Sequence, residues 1–161
     1  MFDVAVITAS DKGSQGLRED LSGRAICEIM EEAGYSIHSC SILPDEQELL
    51  SAKMIELTDK NVALILTTGG TGFSLRDRTP EATLAVIDRQ VPGIPEAMRF
   101  LSLQITKRAM LSRATAGIRQ QTLIVNLPGS PKAVKECLEF ILDSLEHGLK
   151  ILRGEASECA R

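Results

Sequence analysis

The residues best suited to chemistry lie in one stretch, Thr67-Thr68-Gly69-Gly70-Thr71-Gly72-Phe73-Ser74-Leu75-Arg76-Asp77-Arg78-Thr79-Pro80-Glu81-Ala82-Thr83. Gly69, Gly70 and Gly72 carry no Cβ, so the main-chain N–H groups around them can converge on an anion. Thr79 is expected to cap a helix with its hydroxyl, and Pro80 to take the first helical position, where a missing N–H costs nothing. The positive end of that helix then faces the glycine loop, which suits phosphate. This is not a Walker loop, because its lysine is missing and the spacing differs. Nor does it match the dinucleotide fingerprint of three spaced glycines with a later acid.

A second turn, Asn126-Leu127-Pro128-Gly129-Ser130-Pro131, repeats the arrangement. Pro128 and Gly129 shape the turn, Ser130 is expected to cap and Pro131 to open a helix. Two anion-friendly helix starts point to an extended polyphosphate ligand. Asp45 and Asp77 follow strand candidates, and together they are expected to hold Mg²⁺, which accepts one or two carboxylates beside phosphate oxygens. Taken singly, Asp45 would be read as the cap of the next helix and Asp77 as the partner of Arg76 or Arg78; their position on one edge favours the metal. Arg76, Arg78, Lys12 and Arg18 are candidate phosphate clamps, although single loop cations are usually solvated.

The elements that must position these residues follow from periodicity. Strands are expected over Phe2 to Thr8, Ser36 to Leu43, Val62 to Thr67 and Thr122 to Leu127. Helices are expected from about Leu21 to Ala33, after Gln47, from Pro80 to about Asp88, from Glu96 to about Ile105 and from Pro131 to near Leu152. Residues 106–121 read as a short strand pair or an irregular connection. Strands alternating with helices predict an α/β fold with a mainly parallel sheet and helices on both faces. Ligands of such sheets bind beyond the carboxyl ends of the strands, so the loops Thr8 to Gly16, Pro44 to Gln47, Gly69 to Thr79 and Asn126 to Pro131 are expected to form one site. Residues 1–153 read as one domain and 154–161 as a frayed tail.

Composition narrows the function classes. The 161 residues are 43% hydrophobic and 25% charged, as in soluble globular proteins. A net charge of −4 and 3% aromatic residues argue against nucleic acid, which needs a basic stripe and stacking platforms. No apolar run approaches a membrane span, and no leader pattern opens the chain, so a cytoplasmic location is expected. Cys27, Cys40, Cys137 and Cys159 form no C-x-x-C pair and have only the distant His38 and His147 as partners. Reduced thiols are therefore expected, not a zinc site.

The glycine-loop stretch, with Leu43-Pro44-Asp45-Glu46 before it, resembles the molybdopterin adenylyltransferase family of molybdenum cofactor biosynthesis. Met110-Leu111-Ser112-Arg113, Ala116-Gly117-Ile118-Arg119 and Asn126 to Val134 extend the resemblance over nearly the whole chain. It implies a three-layer α/β fold, a homotrimer, and transfer of AMP from Mg²⁺-ATP to the terminal phosphate of molybdopterin with release of pyrophosphate. A molybdenum insertase would then take the product. Carried over by motif, Asp45 and Asp77 are implied in adenylyl transfer, and Ser102 in molybdopterin binding or catalysis. Gly69, Gly70, Thr71, Gly72, Pro128, Gly129 and Ser130 would surround the nucleotide, with Arg76, Ser10 and Asp11 contributing. Alternatives on the same fold are a non-catalytic molybdopterin-binding protein, a trimeric assembly protein like the gephyrin G domain, and a CinA-like pyrophosphatase or deamidase. The intact aspartates favour the enzyme over the first two, and chain length weighs against the third.

Overall fold

Alternation with a period of two decides how the central strands are used. In β1 (Asp3–Ala9), Val4 and Val6 point to one face of the sheet and Ala5, Ile7 and Ala9 to the other, all buried. The computed structural model describes residues 1–155. A short helical turn α1 (Asp11–Ser14) follows, then α2 (Leu21–Glu32), β2 (Ser36–Leu43) and α3 (Gln47–Asp59). Next come β3 (Leu64–Thr68), α4 (Thr79–Val86), the two-residue β4 (Arg89–Gln90) and α5 (Gly93–Leu103). A 3₁₀ turn at Lys107–Leu111 leads to β5 (Ala116–Arg119), β6 (Thr122–Leu127) and the long α6 (Pro131–Leu152).

The six strands form one sheet in the order β2-β1-β3-β6-β5-β4. The first four are parallel, whereas β5 pairs antiparallel with both β6 and β4. Residues 106–121 therefore contain both of the expected possibilities, an irregular 3₁₀ connection and then a short strand pair. Helices cover both faces. One core packs Val4, Val6, Leu64, Leu66, Leu123 and Val125 against Ile26 and Met30 of α2, Met98 of α5 and the stripe Val134, Leu138, Ile141, Leu145 and Leu149 of α6. The other packs Ala5, Ile7, Ile65 and Ile124 against Leu50, Met54 and Leu57 of α3 and Ala82 and Val86 of α4. Both faces of β3 and β6 are buried, as parallel central strands require.

Two local expectations change, at Thr79 and at the cysteines, and the alternative of Asp45 as a helix cap falls away. Thr79 is the first helical residue of α4 and its hydroxyl caps nothing; Ala82 N–H bonds to the Arg78 carbonyl instead, at 2.9 Å. Asp45 does not cap α3, since its carboxylate is taken by another loop. Cys27 and Cys40, expected as free thiols, have their sulfurs side by side between α2 and β2, whereas Cys137 stands alone and buried. The packing of α2 beside β2 brings those two sulfurs together, which spacing in sequence does not reveal. The expected tail lies outside the described residues from 156 onward, as does Cys159. Among the described residues no helix is long and apolar enough to cross a membrane.

Candidate functional site

The ends of β1, β2, β3 and β6 meet at one edge, as parallel topology dictates. Ser10 caps α1 by accepting from Gly13 N–H at 2.9 Å, and Asp20, just before α2, accepts from Gly23 N–H at 2.8 Å. The other Asp20 oxygen accepts from the Thr8 hydroxyl at 2.7 Å, so the first loop is pinned at both ends. Asp20 is an addition to the expected site, although an aspartate directly before a helix is a cap signal in the sequence.

Ser10, Asp11, Lys12, Arg18, Asp20, Asp45, Gly69, Gly70, Asp77 and Gly129 line a cavity of about 500 Å³. All four expected loops thus contribute to one hollow. Asp45 Oδ2 accepts from the Asp11 N–H at 3.0 Å, and Asp77 Oδ2 accepts from the Ser74 N–H at 2.9 Å. Burial pushes the Asp45 carboxyl above its ordinary range, and the charges of Asp11 and Asp77 push the same way against the Asp11 N–H bond. Arg76 is not aimed at the cavity as a free clamp: it grips Asp11 through two bonds of 3.0 and 2.8 Å. That hydrogen-bonded pairing holds the Asp11 carboxyl below the usual carboxylate range. Arg78 lies away from this cavity, beside Glu81 and Arg113.

The glycines have a visible steric reason. Gly69 and Gly70 adopt φ of 85° and 67°, where side chains with a Cβ are strained. A Cβ on Gly70 would run into the Thr79 hydroxyl and lie 3.1 Å from Asp45 Oδ1. At Gly72 it would lie 2.9 Å from Asp77 Oδ2. The bare glycines therefore leave room for two carboxylates and a hydroxyl to close around the loop. Thr79 Oγ1 is buried there without a partner.

Beneath the loop, Asn126 forms a buried crosslink. Its amide nitrogen donates to the Thr67 and Thr83 hydroxyls at 3.0 and 2.9 Å, and its oxygen accepts from Thr115 N–H at 3.2 Å. The second turn is fastened by Thr68 and Ser22, whose hydroxyls donate to the carbonyls of Pro128 and Gly129 at 2.6 and 2.7 Å. Ser130 caps α6 as expected, accepting from Ala133 N–H at 3.2 Å.

Ser102 is not in the acidic cavity. It lines a second hollow of about 300 Å³ with Thr71, Gly72, Met98, Arg99, Arg108, Ser112, Pro128, Gly129 and Cys137. Gly129 borders both hollows, so the glycine turns form the ridge between them. The Ser102 hydroxyl lies 3.7 Å from Cys137 Sγ, and burial pushes that thiol up, so it stays protonated at neutral pH. Arg99 is fixed by the Ala114 carbonyl at 2.8 Å. Arg99 and Arg108 give this less acidic hollow positive charge; neither stands out in the sequence, because an arginine on an amphipathic helix or turn looks like surface.

One side of the ridge is acidic and the other basic and apolar, with glycine N–H groups between them. Such a site can hold two ligands whose reacting ends meet over the ridge. Residues 5–147 match the family described as "Probable molybdopterin binding domain". The chain is 42% identical to the molybdopterin adenylyltransferase of Helicobacter pylori (strain ATCC 700392 / 26695), over 94% of this chain and 88% of that protein. It is 43% identical to gephyrin of Dictyostelium discoideum, over 94% of this chain but 23% of the larger protein. The crystal structure of the molybdopterin biosynthesis enzyme MoaB from Thermus thermophilus superposes with a TM-score of 0.90 at 44% identity, covering 96% of this chain and 98% of that one. On that extent of match in sequence and fold, the chain belongs to the molybdopterin-binding domain family shared by these proteins.

Proposed function

We propose that this protein is a molybdopterin adenylyltransferase of molybdenum cofactor biosynthesis, with residues 1–153 acting as one domain. The observation that carries this reading is the pair of hollows meeting at Gly129, one with Asp45 and Asp77, the other with Ser102, Arg99 and Arg108. The acidic side takes ATP and the second side takes molybdopterin.

The residues fit Mg²⁺. Asp45 and Asp77 each commit one oxygen to a main-chain N–H, and their carboxylates lie where Gly70 and Gly72 leave space. Among the described residues no group of three or more His, Cys, Asp or Glu side chains is arranged as a metal cage. That suits Mg²⁺, which keeps waters and shares carboxylates with substrate phosphates. When bound, it would neutralise phosphate charge beside the two aspartates.

In the reaction, a terminal phosphate oxygen of molybdopterin attacks the α-phosphorus of ATP. The new P–O bond forms as the bond to the bridging oxygen breaks, and pyrophosphate leaves with that electron pair. The attacking phosphate is already ionised, so no general base is needed, and no histidine lines either hollow. The chain's work is positioning and charge stabilisation: N–H groups of the glycine turns face the phosphates, and Ser102, Arg99 and Arg108 hold the pterin substrate. Arg76 keeps Asp11 in place and orders the rim.

The same reading puts the protein in the cytoplasm as a homotrimer that hands its adenylylated product to a molybdenum insertase. Exposed Phe100 on α5, with Ile105 and Met110 just after it, supports association, since a partner copy would cover apolar surface. The test is formation of adenylylated molybdopterin and pyrophosphate from Mg²⁺-ATP by the purified protein. Absence of product with molybdopterin still bound would overturn the enzymatic reading in favour of a binding protein.

A further inference from the structure

Arg113 has no part in the chemistry above, yet among the described residues it is the main external tie on the Asp77 loop. It follows the 3₁₀ turn, in the segment that the sequence leaves least defined. Its main-chain N–H donates to the Thr71 carbonyl at 2.9 Å. Its guanidinium donates through Nε to the Gly72 carbonyl at 2.7 Å and through Nη2 to the Asp77 carbonyl at 2.8 Å. Nη1 pairs with Glu81 in the first turn of α4.

The fork therefore spans the loop from its third glycine to its aspartate and anchors both to the helix that follows. Bonds within the loop close its tip and its base but leave the span between them to Arg113: Asp77 N–H donates to the Ser74 carbonyl at 3.0 Å, Ser74 N–H to the Asp77 carboxylate, Arg76 N–H to the Ser74 hydroxyl at 3.3 Å, and Thr79 N–H to the Gly70 carbonyl at 3.1 Å. Phe73 and Leu75 are exposed, so no apolar packing holds that tip. Burial pushes the Glu81 carboxyl up, but the hydrogen bond from Arg113 leads the interactions that bring it below its ordinary range, so the anchor is charged at neutral pH.

We propose that Arg113 is a positioning residue for Asp77: its planar fork fixes the loop backbone, and through it the carboxylate that serves the nucleotide. Lysine keeps the charge opposite Glu81 but cannot reach three acceptors at fixed angles. The inference rests on the adenylyltransferase reading for its kinetic consequence, and on the loop geometry alone for its structural one.

The test compares Arg113→Lys and Arg113→Gln with the wild type by amide hydrogen exchange and by steady-state kinetics. The expected result is exchange about tenfold faster in residues 71–78 in both variants, with β3 and β6 unchanged. With it, kcat for adenylyl transfer falls about 100-fold while the KM for molybdopterin holds. Unchanged loop exchange overturns the proposal. So does full activity in Arg113→Lys, which would make charge alone sufficient, or exchange rising equally in β3 and β6, which would make the role one of global stability. If the wild type transfers no adenylyl group, the functional reading fails, and the exchange contrast still decides whether Arg113 positions the loop.

Discussion

Asp11 and Asp45 exchange hydrogen bonds: each main-chain N–H donates to the other's carboxylate, both at 3.0 Å. The pair locks the loop after β1 to the loop after β2 and places two acids side by side. Arg76 tempers their repulsion unequally: it grips Asp11 directly and acts on Asp45 only as a nearby charge.

The first prediction concerns pH. Burial, Asp11 and Asp77 raise the Asp45 pKa, so the charged form of Asp45 is the one the folded site disfavours. Transfer that needs ionised Asp45 will therefore lose kcat/KM as pH falls through a value above the ordinary aspartate range. Asp11→Asn removes a negative neighbour while its side-chain oxygen can still accept from Asp45 N–H. The acid limb of the pH–rate profile should then move to lower pH. A limb that stays put, or moves upward, would remove Asp45 from the role.

Asp77→Asn tests the second acid. The change is nearly isosteric and keeps an acceptor for Ser74 N–H. Pyrophosphate release should fall about 10²–10³-fold, the range seen when one preorganised electrostatic contact is lost. Circular dichroism and thermal melting should match the wild type.

Gly70→Ala should destabilise the fold by about 1–3 kcal/mol, because a Cβ at φ of 67° is strained and collides with the Thr79 hydroxyl. Urea unfolding measures the loss. Gly129→Ala is the contrast: the nearest atom its Cβ would meet is Gly69 Cα, at 3.6 Å, an ordinary contact. Its unfolding midpoint should stay near that of the wild type.

Asn126→Leu keeps bulk but leaves the Thr115 N–H and the Thr67 and Thr83 hydroxyls without their shared partner. A loss of about 3 kcal/mol is expected from several buried polar groups unmade together. Chemical denaturation of the variant checks it.

Ser102→Ala should raise the KM for molybdopterin while the KM for ATP holds, because Ser102 lines the hollow without the aspartates. Two-substrate steady-state kinetics separate the two. A rise in the ATP KM alone would reverse the assignment of the hollows.

Much of the fold and part of the site are legible in the sequence because they depend on local physics. Alternating apolar residues mark the parallel strands, and Ser130-Pro131 marks the start of α6. Glycines following a buried strand announce the loop. Thr79 departs from its expected cap role because its hydroxyl turns under Gly70, a contact made only when the loop folds back. Arg113 closes the Met110-Leu111-Ser112-Arg113 motif but its role is not legible there, and Arg99 leaves no signal, since their acceptors are largely main-chain carbonyls that carry no residue identity. The division into two hollows is also hidden: it arises from how α5 and the 3₁₀ turn pack beside the second glycine turn, not from any motif.

The bond from Ser22 to Gly129 joins residues 107 positions apart, and β3 reaches its neighbour β6 across a long intervening stretch of chain. During synthesis the first three strands emerge with their loops well before the last turn exists. The wall between the hollows is then completed only when Pro128 and Gly129 arrive to accept the waiting hydroxyls of Thr68 and Ser22. Such distant closure is slow compared with helix formation. A nascent chain stopped short of Pro128 would carry both aspartates and the first glycine loop, yet have no ridge on which two substrates could meet.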